Sequence, residues 1–462
     1  MYLLDNTPRP YAWGAERAIA DLLGREPSGG PEAELWVGAH PGSSSQVLYP
    51  DGSRRGLDKV IEENPAALLG EDMAARFDGR LPFLLKVLAA GSALSLQVHP
   101  SLEQAAAGFG AEEADGVPRD APHRKYRDRN HKPEMIFALT PFEALCGFRP
   151  LPESVAIFTL LASMVEPASA ARELLEAVAV SLTAGDDGAL RTAFTSLLEA
   201  PQQVVADVEA AVEAGAVSGG ASGAASGAVA GADQDDEASA ARDLATVAEL
   251  SDQYPGDPGV LIALLLNRVS LQSGDALYLP AGNIHAYLGG LGIEVMASSD
   301  NVLRGGLTPK HVDRDELLAT VIFKAFAPPT VVAEFTLFDQ ELYRPPFEEF
   351  QLQRIVLGDA AAGASGTEGT ADRADSSLPP GGSVAPAHVP VLQNGPVVVL
   401  AVSGPILLDS PNATLTVPRG SGAFVAASEA PLVVRPAADA HGATDGPVLA
   451  FAVTVGGEGS SL

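Results

Sequence analysis

The chain holds a single cysteine, Cys146, among 462 residues. That excludes an internal disulfide and any zinc or iron–sulfur site built from several thiolates. No apolar run approaches the roughly 20 residues needed to cross a bilayer; the longest is Val260–Leu266. Met1–Trp13 has no basic segment followed by an apolar one, so no signal peptide is expected. Basic residues are scarce, with 29 Lys and Arg against 59 Asp and Glu and a formal charge of −30. A surface this acidic argues against recognition of nucleic acid through its phosphates and against docking on anionic lipid. The expectation is a soluble cytoplasmic protein with no nucleic-acid or membrane partner. With 46% apolar residues the chain can build real cores. A domain size of about 150 residues gives two to four units.

Texture changes along the chain divide it. From Pro152 to Tyr254 apolar residues recur at helical spacing, as in Ile157, Leu160, Leu161 and Met164. Phe83–Val98, Pro133–Phe148 and Asp275–Ala297 are β-prone runs punctuated by Gly and Pro, and so is much of 396–455. The expected fold is mainly β with an α insertion. Residues 1–150 plus 256–330 form the catalytic unit, 151–255 a helical insertion, and 331–462 a smaller C-terminal β domain. Two stretches rich in Gly, Ala and Ser, 215–236 and 358–390, are expected to be flexible loops, because they bury too little apolar area to offset their ordering entropy.

With only eight His in the chain, a His in a defined local pattern is informative. Gln97 and His99 stand at i and i+2 on an apparent strand, so their side chains share a face. His285 follows a Pro280–Gly282 turn, and Glu134 opens a strand just after His131 and Lys132. Two imidazoles, a carboxamide and a carboxylate suit a divalent ion such as zinc, and also iron(II) or manganese. Glu103 is a tempting further ligand, but Ser101-x-x-Gln104 reads as a capping box that places Glu103 in a first helical turn. His40, His123, His388 and His441 are read as ordinary core or surface residues, Trp13 and Trp36 as core anchors, and Cys146 as a small buried hydrophobe.

Gly274-Asp275 through Pro280, Gly282 and His285 resembles the second motif of the cupin superfamily, and Gly91 through Gln97 and His99 resembles the first. A closer likeness emerges when the blocks are read together. Pro10–Gly14, Glu34–Pro41, Pro82–Lys86, Ser95–Pro100, Asn130–Met135 and Asn301–Lys310 resemble, in order and context, the type I mannose-6-phosphate isomerase (phosphomannose isomerase) family. The resemblance implies a cupin-type β-barrel or jelly roll with a second, cupin-like β domain. It also implies one Zn2+ per chain held by Gln97, His99, Glu134 and His285, and interconversion of mannose 6-phosphate and fructose 6-phosphate. Lys86 and Ser95 are then expected at the substrate phosphate, and Lys132, His131, Glu294 and Arg304 in the catalytic group. Proton transfer between C1 and C2 through an enediol needs a base over carbon and an electrophile on oxygen. Glu294, His131 and His99 all remain candidates for the base. A monomer acting on a small sugar phosphate is expected. The competing readings are a metal-dependent cupin oxygenase and a sugar-phosphate-binding cupin without turnover.

Overall fold

The computed structural model describes residues 1–185, 187–228, 234–358, 385–437 and 447–457. The catalytic half is built around one long antiparallel strand, His285–Ala297. Its first residues pair with Phe142–Phe148 and, at His285, with Gln97. Its later residues pair with Phe83–Ala90 on one side and Glu134–Ala138 on the other. A register shift between Tyr287 and Gly289 separates the two regions. At Gly290, inside the strand just past this shift, φ is +123°, and an added Cβ would meet Phe142 and the Pro141 carbonyl at 2.7 Å, so the position requires glycine. The strand therefore belongs to two sheet regions. Leu88, Ile136 and Leu277 from one and Phe142, Ala144 and Cys146 from the other form a single buried cluster between them. The architecture is cupin-type, with the sheets facing each other and no closed barrel among the described residues.

The helical expectation for 152–254 is met by Leu151–Met164, Ala170–Leu182, Asp187–Leu198, Gln202–Ala228 and Gln234–Gln253. The stretch expected to be a loop from 215 is corrected as far as Ala228, where helix continues. Alanine has the highest helix propensity of all residues, and here it offsets the interspersed glycines. Residues 229–233 lie outside the described residues, as do 359–384 of the second expected loop and His441. The helices pack on the catalytic sheet: Ile157, Phe158, Leu161 and Phe194 share a core with Leu96, Val98, Leu145 and Ala286.

In the C-terminal half, strands Gln351–Leu357, Val397–Ala401, Gly422–Val425 and Val448–Thr454 form a sheet. Tyr2–Asp5 joins this sheet by pairing with Gly422–Val425, and Gln46–Leu48 and Arg54–Gly56 extend it. The sheet thus crosses the boundary expected at residue 331.

Candidate metal centre

The three ionisable metal ligands expected from the sequence sit at strand ends. His99 follows the strand Leu96–Val98, Glu134 opens Glu134–Ala138, and His285 opens the long strand. All three are buried. The Nδ1 atom of His99 lies 2.8 Å from the Asn301 carbonyl, and that of His285 lies 3.0 Å from the Asn283 carbonyl. A carbonyl only accepts, so each Nδ1 carries the proton and each Nε2 presents its lone pair. Both Nε2 atoms face one carboxylate: His99 is 3.4 Å from Glu134 Oε1 and His285 is 3.3 Å from Glu134 Oε2. The three donor atoms lie within 4.8 Å of one another. His99 Nε2 is a buried nitrogen without a hydrogen-bond partner. Such an orphan costs free energy unless something binds it, and two oriented imidazoles around one carboxylate fit a divalent cation.

Electrostatics favour the ligating protonation states. Burial, followed by the Lys132 charge, pushes His99 down to about 4 and keeps it neutral near pH 7. Burial alone would raise Glu134, but the Lys132 ammonium outweighs it and holds the carboxyl well below its usual range. Lys132 Nζ stands 2.5 Å from Glu134 Oε1. Gln97 is half-buried and registered opposite both His285 and Arg304.

Beside this cradle lies a buried charge pair. Lys86 and Glu294 face each other across neighbouring strands at 2.7 Å, and Glu34 is 3.6 Å from the same ammonium. Trp36 donates its Nε1–H to Glu34 at 2.8 Å, and its ring lies 5.1 Å from the Lys86 ammonium. Trp36 is half-buried and lines the charged pair; it is in none of the core clusters among the described residues, which corrects its reading as a core anchor. Burial pushes the Glu294 carboxyl upward against the pull of Lys86. Lys86 faces the opposite balance: burial works against its charge, but Glu294, Glu34 and Glu134 together hold it protonated.

The other expected residues are distributed around this core. His131 pairs with Glu349 at 2.5 Å, a residue of the C-terminal half that no local signal points to. Ser95 is half-buried just before Leu96–Val98. Arg304 is half-buried, and burial and Arg127 both lower its pKa. Lys310 is lowered first by Arg304. Glu103 is exposed in the first turn of Leu102–Ala114, behind a complete Ser101–Gln104 capping box, and is not among the three grouped donors His99, Glu134 and His285. His40 is buried and accepts the Gly42 N–H at Nδ1, as an ordinary core histidine does, and its Nε2 lies 3.6 Å from Asp300. Tyr287, two residues after His285, is also buried there, and burial and Glu294 raise its hydroxyl. The i, i+2 spacing of His285 and Tyr287 was the available signal for that tyrosine.

Residues 1–151 match a family model for "Phosphomannose isomerase type I, catalytic domain". The mannose-6-phosphate isomerase of Escherichia coli K12 is 36% identical over 94% of this chain and 97% of its own. The chain belongs to the mannose-6-phosphate isomerase family. The similarity reaches mammals, with the mannose-6-phosphate isomerase of Bos taurus 31% identical over 91% of this chain and 92% of its own. Among solved structures, a zinc-bound mannose 6-phosphate isomerase superposes with a TM-score of 0.76 at 32% identity, covering 98% of this chain and 99% of that one. A variant of the Salmonella typhimurium enzyme gives 0.77 at 31% identity, covering 99% of both chains. Membership in the isomerase family thus spans all three parts of the chain, including the helical insertion and the C-terminal sheets.

Proposed function

We infer that this chain interconverts mannose 6-phosphate and fructose 6-phosphate by moving a proton between C1 and C2 through an enediol, with one Zn2+ per chain. The observation that carries this reading is the His99–Glu134–His285 cradle set beside the buried Lys86–Glu294 pair. Together they supply a cation site and a desolvated carboxylate, the two groups an aldose–ketose isomerisation needs. Gln97, His99, Glu134 and His285 would hold the zinc, which when bound supplies an electrophile for the sugar oxygens.

The protein groups divide the remaining work. Glu294 is the preferred base, because burial raises its pKa toward the working pH and Lys86 keeps it oriented. Lys132, 2.5 Å from Glu134, would offer a cationic N–H donor to charge developing on a substrate oxygen. His131, tied to Glu349, is the second candidate for proton transfer. Lys86 and Ser95 remain candidates at the phosphate, but two carboxylates already flank the Lys86 charge. Arg304 and Lys310, with Arg127, have no carboxylate partner among the described residues; burial and the Arg127 charge lower Arg304, and the Arg304 charge lowers Lys310. In a chain of charge −30, this local positive wall is the better anchor for a phosphate dianion.

The reading places the enzyme in the cytoplasm as a monomer acting on a small sugar phosphate. No helix among the described residues is long and apolar enough to cross a membrane. The test is a coupled assay for fructose 6-phosphate formed from mannose 6-phosphate, before and after a chelator. Turnover lost with the metal and restored by zinc supports the reading. Folded, zinc-loaded protein without turnover overturns it.

A further inference from the structure

Asn301 is the joint of the metal centre. It is fully buried at 0% exposure and lies outside every strand. Its carbonyl accepts the Nδ1–H of His99 at 2.8 Å, across 202 positions of chain. Its side chain grips a different segment. Oδ1 accepts the backbone N–H of Arg127 at 2.7 Å and, at 3.4 Å, that of Asp128. Nδ2 donates to the carbonyls of Asp128 at 2.9 Å and Asn130 at 2.8 Å.

That segment leads directly into Lys132 and Glu134. From Glu134 onward the chain is fixed by strand pairing opposite Met296, but residues before it have no regular structure. Asp128 completes the knot: its carboxylate accepts the Ser299 hydroxyl at 2.9 Å and the Asp300 N–H at 2.8 Å. One side chain therefore holds the approach to the carboxylate ligand, and the same residue's carbonyl sets which nitrogen of an imidazole ligand is free. The amide suits both tasks, because it offers an acceptor and two donors in one plane to groups that are themselves fixed.

We propose that Asn301 is a positioning residue that couples the His99 tautomer to the placement of the Lys132–Glu134 segment, and so sets the affinity of the metal site. The proposal rests on the reading of His99, Glu134 and His285 as metal ligands. Groups that orient ligands in this way typically change metal affinity by about 10- to 100-fold when they are altered.

The test replaces Asn301 by Asp. The acceptor facing the Arg127 and Asp128 N–H groups is kept, while the donor facing the Asp128 and Asn130 carbonyls becomes an oxygen. Zinc affinity is measured on folded apoprotein by chelator competition, and the visible spectrum of the cobalt-loaded protein reports on ligand geometry. The expected result is zinc binding weakened about 10- to 100-fold and an altered cobalt spectrum. The control is Ser299→Ala, which removes the hydroxyl contacts to Asp128, to the Asn130 carbonyl and to the Asn301 backbone N–H but leaves the Asn301 side-chain amide and its carbonyl bonded as they are. It should lower stability and leave zinc affinity nearly unchanged. Equal zinc affinity in Asn301→Asp and the wild type would overturn the proposal, and so would an equally large loss in Ser299→Ala. If Asn301→Asp does not fold, Asn301→Ser, which drops the side-chain grip without adding charge, is read in the same way. Wild-type protein that takes up no zinc would instead sink the metal reading itself, a separate outcome.

Discussion

The metal centre is tuned residue by residue, and His99 shows it most directly. In the folded apoprotein its imidazole is held at about 4 against an ordinary value of 6.5. The sign follows from linkage: below 6.5 the unfolded chain binds a proton that the folded chain refuses, so stability falls as pH drops toward 4. Urea titrations of the apoprotein should show this loss between those two values, and His99→Gln should flatten it. An unchanged acid slope in that variant would show that other groups dominate. Lys86 makes the complementary case. Replacing it by Ala leaves Glu294 and Glu34 buried without their cation, at a cost of about 3–5 kcal/mol. The same change should move the acidic limb of the isomerase pH profile upward, because Glu294 loses the partner that pulls its pKa down. Equilibrium unfolding and a pH–rate profile check the two effects separately. Gln97 and His99 were legible because strand alternation fixes the face of i and i+2. Glu349 and Asn301 were not, since each meets its partner across more than two hundred residues, a distance at which no local pattern operates.

At the scale of elements, the helical insertion is joined to the catalytic sheet through a buried charge pair. Arg149, just past the Phe142–Phe148 strand, holds Asp243 of the Gln234–Gln253 helix with two bonds of 2.7 Å. Its Nε also donates to the Leu266 carbonyl at 3.0 Å. Breaking a buried pair strands one charge, whereas replacing both partners by apolar groups is often nearly neutral. Arg149→Met should therefore cost about 3–5 kcal/mol, and Arg149→Met combined with Asp243→Leu should recover most of that loss. Unfolding midpoints of the two single variants and the double variant decide it; a double variant as unstable as the sum of the singles would refute the pairing argument. Helix starts were readable where a side chain caps the backbone, as Ser101 and Gln104 do for Leu102–Ala114. The reach of Gln202–Ala228 was not, because composition weighed Gly and Ser as chain breakers while alanine carried the helix onward.

At the scale of the whole molecule, the expected separation between catalytic and C-terminal parts gives way to a shared core. Leu4, Leu35, Val37, Phe83, Met135, Phe137 and Ile293 pack in one cluster with Phe350, Leu352, Val398, Phe424 and Phe451. Tyr2–Asp5 runs between Gly422–Val425 and Gln46–Leu48, so strands from both ends of the chain lie inside one sheet. Local β patterning marked both ends as strands but carries no information on which distant strands pair, and for that reason the boundary near 331 looked like a seam. Apolar area shared across such a boundary cannot be released from one side without exposing the other. The catalytic and C-terminal parts should then unfold together. A ligand that binds only the folded state stabilises everything that unfolds with its site, by about 2.7 kcal/mol at a hundredfold excess over its Kd. None of His99, Glu134 and His285 lies on a C-terminal strand, yet removal of bound zinc should lower the midpoint of the whole transition. Hydrogen exchange on the Val448–Thr454 strand, far from the metal ligands in sequence, is the decisive readout. Its protection should fall on stripping zinc as much as that of Phe83–Ala90. If only the catalytic strands lose protection, the C-terminal sheets fold as their own unit despite the shared strand.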